Sequence, residues 1–247
     1  MNVLIACEES QRVCIEFRKR GHNAFSCDII EPSGGHPEWH IQCDVLNILN
    51  PIETIIELNF NSYSEVFGMT TKKSICFGTM DGHMHMVPRW DLIIAHPPCT
   101  YLTNTGNRWF NIEKYGDKAR ERIKAREDAV NFFMEFVNAD CDKIVIENPI
   151  GCMSTRYQKS TQIIHPYYFA EEDGDINCER KATCLWIKGL PPLTYEIKFE
   201  PKLIKMGDGK NYSPWHIETF NLPKAERAKA RSKTFPGIAK AMAEQWG

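Results

Sequence analysis

Two runs of branched apolar residues, "RWDLIIA" (89–95) and "KIVIENP" (143–149), flank a single long amphipathic stretch. No other feature constrains the fold as tightly. In the stretch between them, 114–140, Ile123, Ala125, Ala129, Phe132, Phe133, Phe136 and Val137 fall near one stripe of a helix and charged residues fill the opposite face. Short, continuously apolar runs bounded by turn signals read as buried strands. Strands joined by one crossover helix lie parallel with a right-handed connection, so both end at the same edge of a sheet.

The rest of the chain repeats this grammar. "NVLIAC" (2–7) reads as a strand, 10–21 as a helix with Val13, Cys14 and Phe17 at helical spacing and Gly21 as its stop, and 23–30 as a second strand. A third strand is expected within 40–48, and Pro51 with Glu53 predicts a helix over 50–59. Residues 60–89 carry the weakest pattern, with a hairpin expected at "TMDGH" from its Asp-Gly turn. The reading is an α/β, doubly wound, Rossmann-like sheet. A core over 1–150 holds an insertion at 60–89, and a smaller region with a closing helix follows over 151–247.

Composition narrows the class. The 247 residues are 43% hydrophobic and 25% charged, which suits a chain that folds on its own core. A formal charge of −2 excludes a polycation, so any nucleic-acid contact must come from local patches. No stretch approaches the ~20 apolar residues of a membrane span, and the N-terminus has no basic leader, so a cytoplasmic protein with no membrane partner is expected, most simply a monomer. The ten cysteines, without a CxxC pair, are expected to be reduced. Cys76, His83 and His85 could supply three ligands to zinc, fewer than a structural site needs; a solvated hairpin is the plainer account.

The shared strand edge carries chemistry. Ligands of open α/β sheets bind at the carboxyl ends of the strands, where Cys99, Glu147 and Asp28 all emerge. A cysteine in such a place is ordinarily a small buried hydrophobe, Asp28 could be a turn residue and Glu147 a loop partner. Cys99, however, follows Pro97 and Pro98, which fix the backbone and remove two donors. Glu147 follows an apolar strand, so desolvation should raise its pKa and keep it protonated. A thiolate beside such an acid suits addition of sulfur to carbon 6 of a cytosine ring. Protonation or hydrogen bonding at nitrogen 3 helps that addition, and carbon 5 becomes nucleophilic.

"HPPCTYLTNTG" resembles the Pro-Pro-Cys motif of DNA (cytosine-5) methyltransferases, and "IENPIG" resembles their Glu-Asn-Val motif, in the same order and one helix apart. With "ACEES", "FRKRGHNAFSCDI", "KATCLWIKGLPPL" and "FPGIAKAMAEQW", the chain outside 60–89 is similar to short phage and prophage members of that family. The resemblance implies a class I S-adenosyl-L-methionine-dependent methyltransferase sheet, DNA as partner and a small target-recognition region. It implies Cys99 as nucleophile, Glu147 at nitrogen 3, Asn148 holding the loop and Arg156 near the flipped base. Asp28 would bind the cofactor's ribose and Asp44 would lie near its adenine. Pro97 would shape its methionine side, and Ala6, Cys7, Glu8, Ile29 and Val45 would complete the cofactor site.

Two features depart from the family. The first motif reads "ACEESQ", without the glycines that let backbone approach a cofactor, so Glu8 or Glu9 is a candidate partner for the methionine ammonium. Only 100 residues follow Glu147, leaving room for a short recognition region. Residues 114–126 and 224–233 each carry a net excess of four positive charges, suited to phosphates or simply to a solvated helix face. Tyr101, Arg108 and Trp109 could line the pocket of a flipped base or fill its gap. Three other readings stand. An amino-group (N4-cytosine or N6-adenine) methyltransferase would have Asp, Asn or Ser where His96 stands. A cysteine hydrolase would need a base for Cys99, and His96 points along a proline-locked strand exit. A catalytically weak DNA-binding relative is favoured by the glycine-free motif.

Overall fold

The structure is a computed structural model that describes residues 1–56, 70–207 and 209–247. In the first half β1 (Asn2–Ala6), α1 (Arg12–Lys19), β2 (Asn23–Asp28) and β3 (His40–Gln42) are followed by α2 (Leu46–Leu49). Then come β4 (Ile52–Ile56), β5 (Thr70–Gly78), β6 (Met84–Val87), β7 (Leu92–Ala95), α3 (Ile112–Tyr115), α4 (Asp117–Val137) and β8 (Ile144–Pro149). The second half holds α5 (Met153–Arg156), β9 (Gln162–Ile164), β10 (Thr183–Lys188), β11 (Ile204–Lys205) and β12 (Asn211–Tyr212), and ends with α6 (Pro214–Phe220), α7 (Lys224–Ser232) and α8 (Pro236–Trp246).

Seven strands form one sheet in the order β3-β2-β1-β7-β8-β10-β9. The first five are mutually parallel, and β10 runs antiparallel between β8 and β9. Numbered within the sheet alone, β3 to β8 follow the 3-2-1-4-5 order of doubly wound folds. The order reverses between β1 and β7, which makes the carboxyl side of that pair the topological switch point. The sheet also runs past residue 150, since β9 and β10 are its last two strands.

Alternation along each strand builds two cores. Leu4, Ala6, Phe25, Ile93, Ile144 and Ile146 face the crossover helix α4, whose Phe133 and Phe136 are fully buried. Val3, Ile5, Leu92, Ile94 and Val145 face the other way, onto Val13 and Phe17 of α1 and Ile238, Met242 and Trp246 of α8. Both faces being covered explains why these strands are apolar without a break.

Residues 52–56 depart from the expected helix: they form β4 and pair antiparallel with β5. Pro51 precedes "IETII", whose β-branched residues favour an extended backbone; the end of the expected helix, 57–59, lies outside the described residues. The hairpin at the Asp-Gly turn is present as β5–β6, joined by the turn after Gly78. It is more than an insertion, because Ile75, Phe77 and Val87 are core residues and Phe77 stacks on Trp90 at 5.5 Å between centroids. Residues 60–69 lie outside the described part.

Register fixes the functional edge. Cys27 pairs with Ala6, Ala6 with Ala95 and Ala95 with Ile146, so these four residues form one row across four strands. The next residue of each strand is Asp28, Cys7, His96 or Glu147. With strands ~4.8 Å apart, the row spans about 14 Å. If α4 carries this face of the sheet, Phe133→Ala should cost about 3–5 kcal/mol in urea unfolding. A loss below about 1 kcal/mol would refute the assignment.

Candidate active site

The site begins where β7 stops. The His96 N–H donates to the Ala6 carbonyl at 2.9 Å, the last main-chain tie between β7 and β1. Pro97 is buried and Pro98 exposed. The chain then turns at once, as the Leu102 and Thr103 N–H groups donate to the Cys99 carbonyl at 3.0 and 3.1 Å. The Cys99 side chain is half-buried on this turn. Two ties hold the turn against the end of β8. Asn148 Nδ2 donates to the Pro97 carbonyl at 2.8 Å, and the Cys152 N–H donates to the Leu102 carbonyl at 2.8 Å. The second requires Gly151, because a Cβ there would sit 2.1 Å from the Leu102 oxygen.

Cys99 and Glu147 therefore share one rim, and the thiol feels the carboxylate. Burial, then the charge of Glu147, pushes the Cys99 thiol up, while Lys181 draws it down. The protonation expected of Glu147 is overturned. Burial does push that carboxyl up, but His96 Nδ1 donates to Glu147 Oε2 at 2.8 Å. That bond, the His96 charge and Lys181 together hold the carboxyl below its ordinary range. Burial likewise opposes charge on His96, yet the Glu147 bond and charge, with Glu8 beyond, hold it above the usual imidazole value. The proton rests on His96, in a pair whose side chains are 9% and 10% exposed. Two neighbouring polar atoms, His96 Nε2 and Asn148 Oδ1, are buried without a partner.

Sequence reasoning set His96 aside because it considered only Cys99 as its partner. The register supplied the missing signal, since a residue following Ala95 must face one following Ile146. Lys181 was missed for want of a motif. It lies two residues before Thr183, which pairs with Pro149 at the end of β8. Its ammonium also donates to the Arg231 carbonyl at 3.0 Å.

The cofactor side is built on an unusual turn. Cys7 and Gln11 both adopt left-handed backbone, at φ 58° and 57°, so the turn after β1 forms without glycine. Gln11 is fully buried; its Nε2 donates to Ser26 Oγ and the His36 carbonyl, and its Oε1 accepts from the His36 N–H. Glu8 is committed to α1, accepting from the Val13 and Cys14 N–H groups at 2.7 and 3.2 Å. Burial raises its pKa to about 7. Glu9 differs, since both of its carboxylate oxygens are buried without a hydrogen bond and Lys229 Nζ approaches only to 3.9 Å.

Along the row, Asp28 Oδ1 accepts from the Ile30 N–H, and burial raises its pKa. Ile29 beside it is 72% exposed at the sheet edge. Asp44 Oδ1 accepts from the Leu46 N–H and is exposed, whereas Val45 and Ala6 are core residues that offer a site only their backbone. The described contact of Arg156 is with Glu127 of α4, and none joins it to Cys99 or Glu147.

Among the described residues no group of three His, Cys, Asp or Glu is placed to hold a metal ion. His83 Nδ1 bonds Asp81, His85 Nε2 bonds Thr79 Oγ1, and Cys76 is exposed. No helix among those residues is long and apolar enough to cross a membrane. No protein-family model matches this chain, and no curated protein matches it either.

Glu8 makes stability depend on pH in a definite direction. A carboxyl whose folded pKa is raised stabilises fully below its unfolded pKa, near 4.5, and that contribution is lost as pH rises through about 7. Glu8→Gln should flatten the decline of unfolding free energy across this window, a difference of up to about 3 kcal/mol. Identical pH profiles for the two proteins in thermal unfolding would show that Glu8 is ionised throughout.

Proposed function

We propose that the chain transfers a methyl group from S-adenosyl-L-methionine to carbon 5 of cytosine in DNA. The observation that carries this reading is the meeting of Cys99 with the His96–Glu147 pair at the switch point of a doubly wound sheet. A cysteine hydrolase would need the imidazole on the thiol, and no hydrogen bond joins His96 to Cys99 among the described residues; the Nε2 that could make one is buried without a partner.

The residues at hand fit the cofactor. Glu9 offers an ammonium a buried carboxylate that has no hydrogen bond and only Lys229 at 3.9 Å, Asp28 a half-buried carboxylate to a pair of hydroxyls, and Ile29 an exposed apolar surface to a flat ring. The left-handed turn at Cys7 to Gln11 does the work that glycines would otherwise do. When bound, the cofactor supplies an electrophilic methyl group on sulfur.

The rest of the chemistry belongs to the chain. Cys99 gives up its proton to solvent water, and its thiolate sulfur bonds carbon 6 as the carbon 5–carbon 6 double bond opens. The ring electrons move toward nitrogen 3, which Glu147 meets with a proton passed from His96 Nδ1. That transfer also removes the Glu147 charge, the second of the two causes that raise the Cys99 thiol; burial remains, opposed by Lys181. Carbon 5, made nucleophilic by the addition of sulfur, would be the acceptor for the methyl group that a cofactor held by Glu9, Asp28 and Ile29 would supply. Loss of the carbon 5 proton to water then re-forms the carbon 5–carbon 6 double bond and expels Cys99 as thiolate, while nitrogen 3 returns its proton to the His96–Glu147 pair and the aromatic ring is restored.

DNA carrying 5-fluorocytosine blocks that last proton loss. With cofactor present it should become covalently attached at Cys99, giving a protein–DNA mass absent for Cys99→Ser. No adduct with any cytosine-containing duplex or strand would refute the thiol mechanism. Glu147→Gln should lower turnover by about 10²–10⁴-fold while DNA affinity stays near wild type. Equal loss of both would assign Glu147 to folding.

A further inference from the structure

The two basic segments, far apart in sequence, meet across one cavity. Lys118 and Arg122 of α4 line one side of a space of about 980 Å³, Lys224 at the start of α7 lines another, and the loop after Cys99 forms its floor. Four cationic side chains, with Arg108, face it against the single carboxylate of Glu121, in a chain whose net charge is −2.

The walls are aromatic as well as cationic. Trp109 is 42% exposed, and its ring centroid lies 5.0 Å from that of Tyr115. Arg122 sits 4.9 Å over the Tyr101 ring, and its Nε is buried without a partner. Gly106 permits that placement, since a Cβ there would lie 2.7 Å from Arg122 Nη2. The cavity adjoins the catalytic turn, because Arg122 Nη2 also donates to the carbonyl of Thr100, the residue after Cys99.

Rings recessed in a concave wall can stack only on bases whose faces are free, which excludes bases inside an intact duplex. We infer that this cavity is a subsite for an unpaired stretch of nucleic-acid strand, with bases stacking on Tyr101, Trp109 and Tyr115 and phosphates neutralised by Lys118, Arg122 and Lys224. It rests on the DNA reading above only for the class of polymer, and it goes beyond that reading by assigning strands flanking the target base to a site of their own.

Fluorescence anisotropy with a short labelled single-stranded oligodeoxynucleotide, and with its duplex, tests the inference on the full chain. The single strand should bind more tightly than the duplex. Trp109→Ala should weaken it by about tenfold, the worth of one lost stacking contact. Lys224→Glu, at an exposed position on a separate element, guards against a folding artefact. It should weaken binding and flatten the salt dependence, whose log–log slope for three phosphate contacts is about −2. Unchanged affinity in both variants, or equal binding of strand and duplex, would overturn the subsite. If the variants lose strand binding while wild type forms no adduct with 5-fluorocytosine DNA, the subsite stands and the methyl-transfer reading fails. If adduct forms and the variants bind strand normally, the reverse holds.

Discussion

The parallel pairing of β7 between β1 and β8 is the constraint on which the site depends. Its register sets Ala6, Ala95 and Ile146 in one row, so the residue after each must emerge at the same height on the same edge. The pairing is held by burial on both faces, with Leu92, Ile93, Ile94 and Ala95 wholly inaccessible. A shift of one residue would exchange the two cores and turn His96 away from Glu147. The order reverses between β1 and β7, so no crossover fills the crevice beside them. Packing energy spent deep in the sheet thus fixes geometry at its rim.

At that rim a buried ion pair does what a lone carboxyl could not. Taking both His96 and Glu147 out of water costs several kcal/mol per ion, and a 2.8 Å hydrogen bond recovers much of it. Such a pair is weak evidence for stability and better evidence for a task. It holds a proton on His96 between two groups whose pKa values have been pushed apart, the imidazole's upward and the carboxyl's downward. It also leaves His96 Nε2 and Asn148 Oδ1 without partners, a cost that a bound polar ligand would remove. Lys181 adds a cation from the segment that leads into β10, the strand laid antiparallel on β8, so the electrostatics of the site draw on both sides of the expected boundary at residue 150.

Much of this was legible from sequence because periodicity reports burial. "DLIIA" and "KIVIE" could only be buried strands, and the single helix between them dictated that Cys99 and Glu147 share an edge. What stayed illegible depended on contacts between distant residues. Nothing local to Glu147 indicates an imidazole, so desolvation alone was considered and the sign of its pKa shift came out reversed. Arg156 was assigned by a loose motif match, and motif position says nothing about Glu127 one helix away. At Ile52–Ile56 two signals competed, proline placement for a helix and β-branching for a strand, and pairing with β5 decided for the strand.

The turn after β1 shows how backbone can replace composition. Left-handed backbone at a non-glycine residue costs on the order of 1–2 kcal/mol, and here it occurs twice within five residues. Gln11 is compensated by three hydrogen bonds that tie it to Ser26 and His36, and Gly34 lies against it because any Cβ there would meet Gln11 Cβ at 2.6 Å. The close approach that glycines would give within the turn has been moved to the loop that crosses over it. Glu8 then closes the N-terminus of α1 with its own carboxyl, so the helix end that could bind an anion is already occupied. The carboxylate left without a hydrogen bond on this turn is that of Glu9, which Lys229 approaches only to 3.9 Å, so what this half of the site lacks is a closer donor. A zwitterionic ligand would have to present its ammonium, not its carboxylate, to this turn.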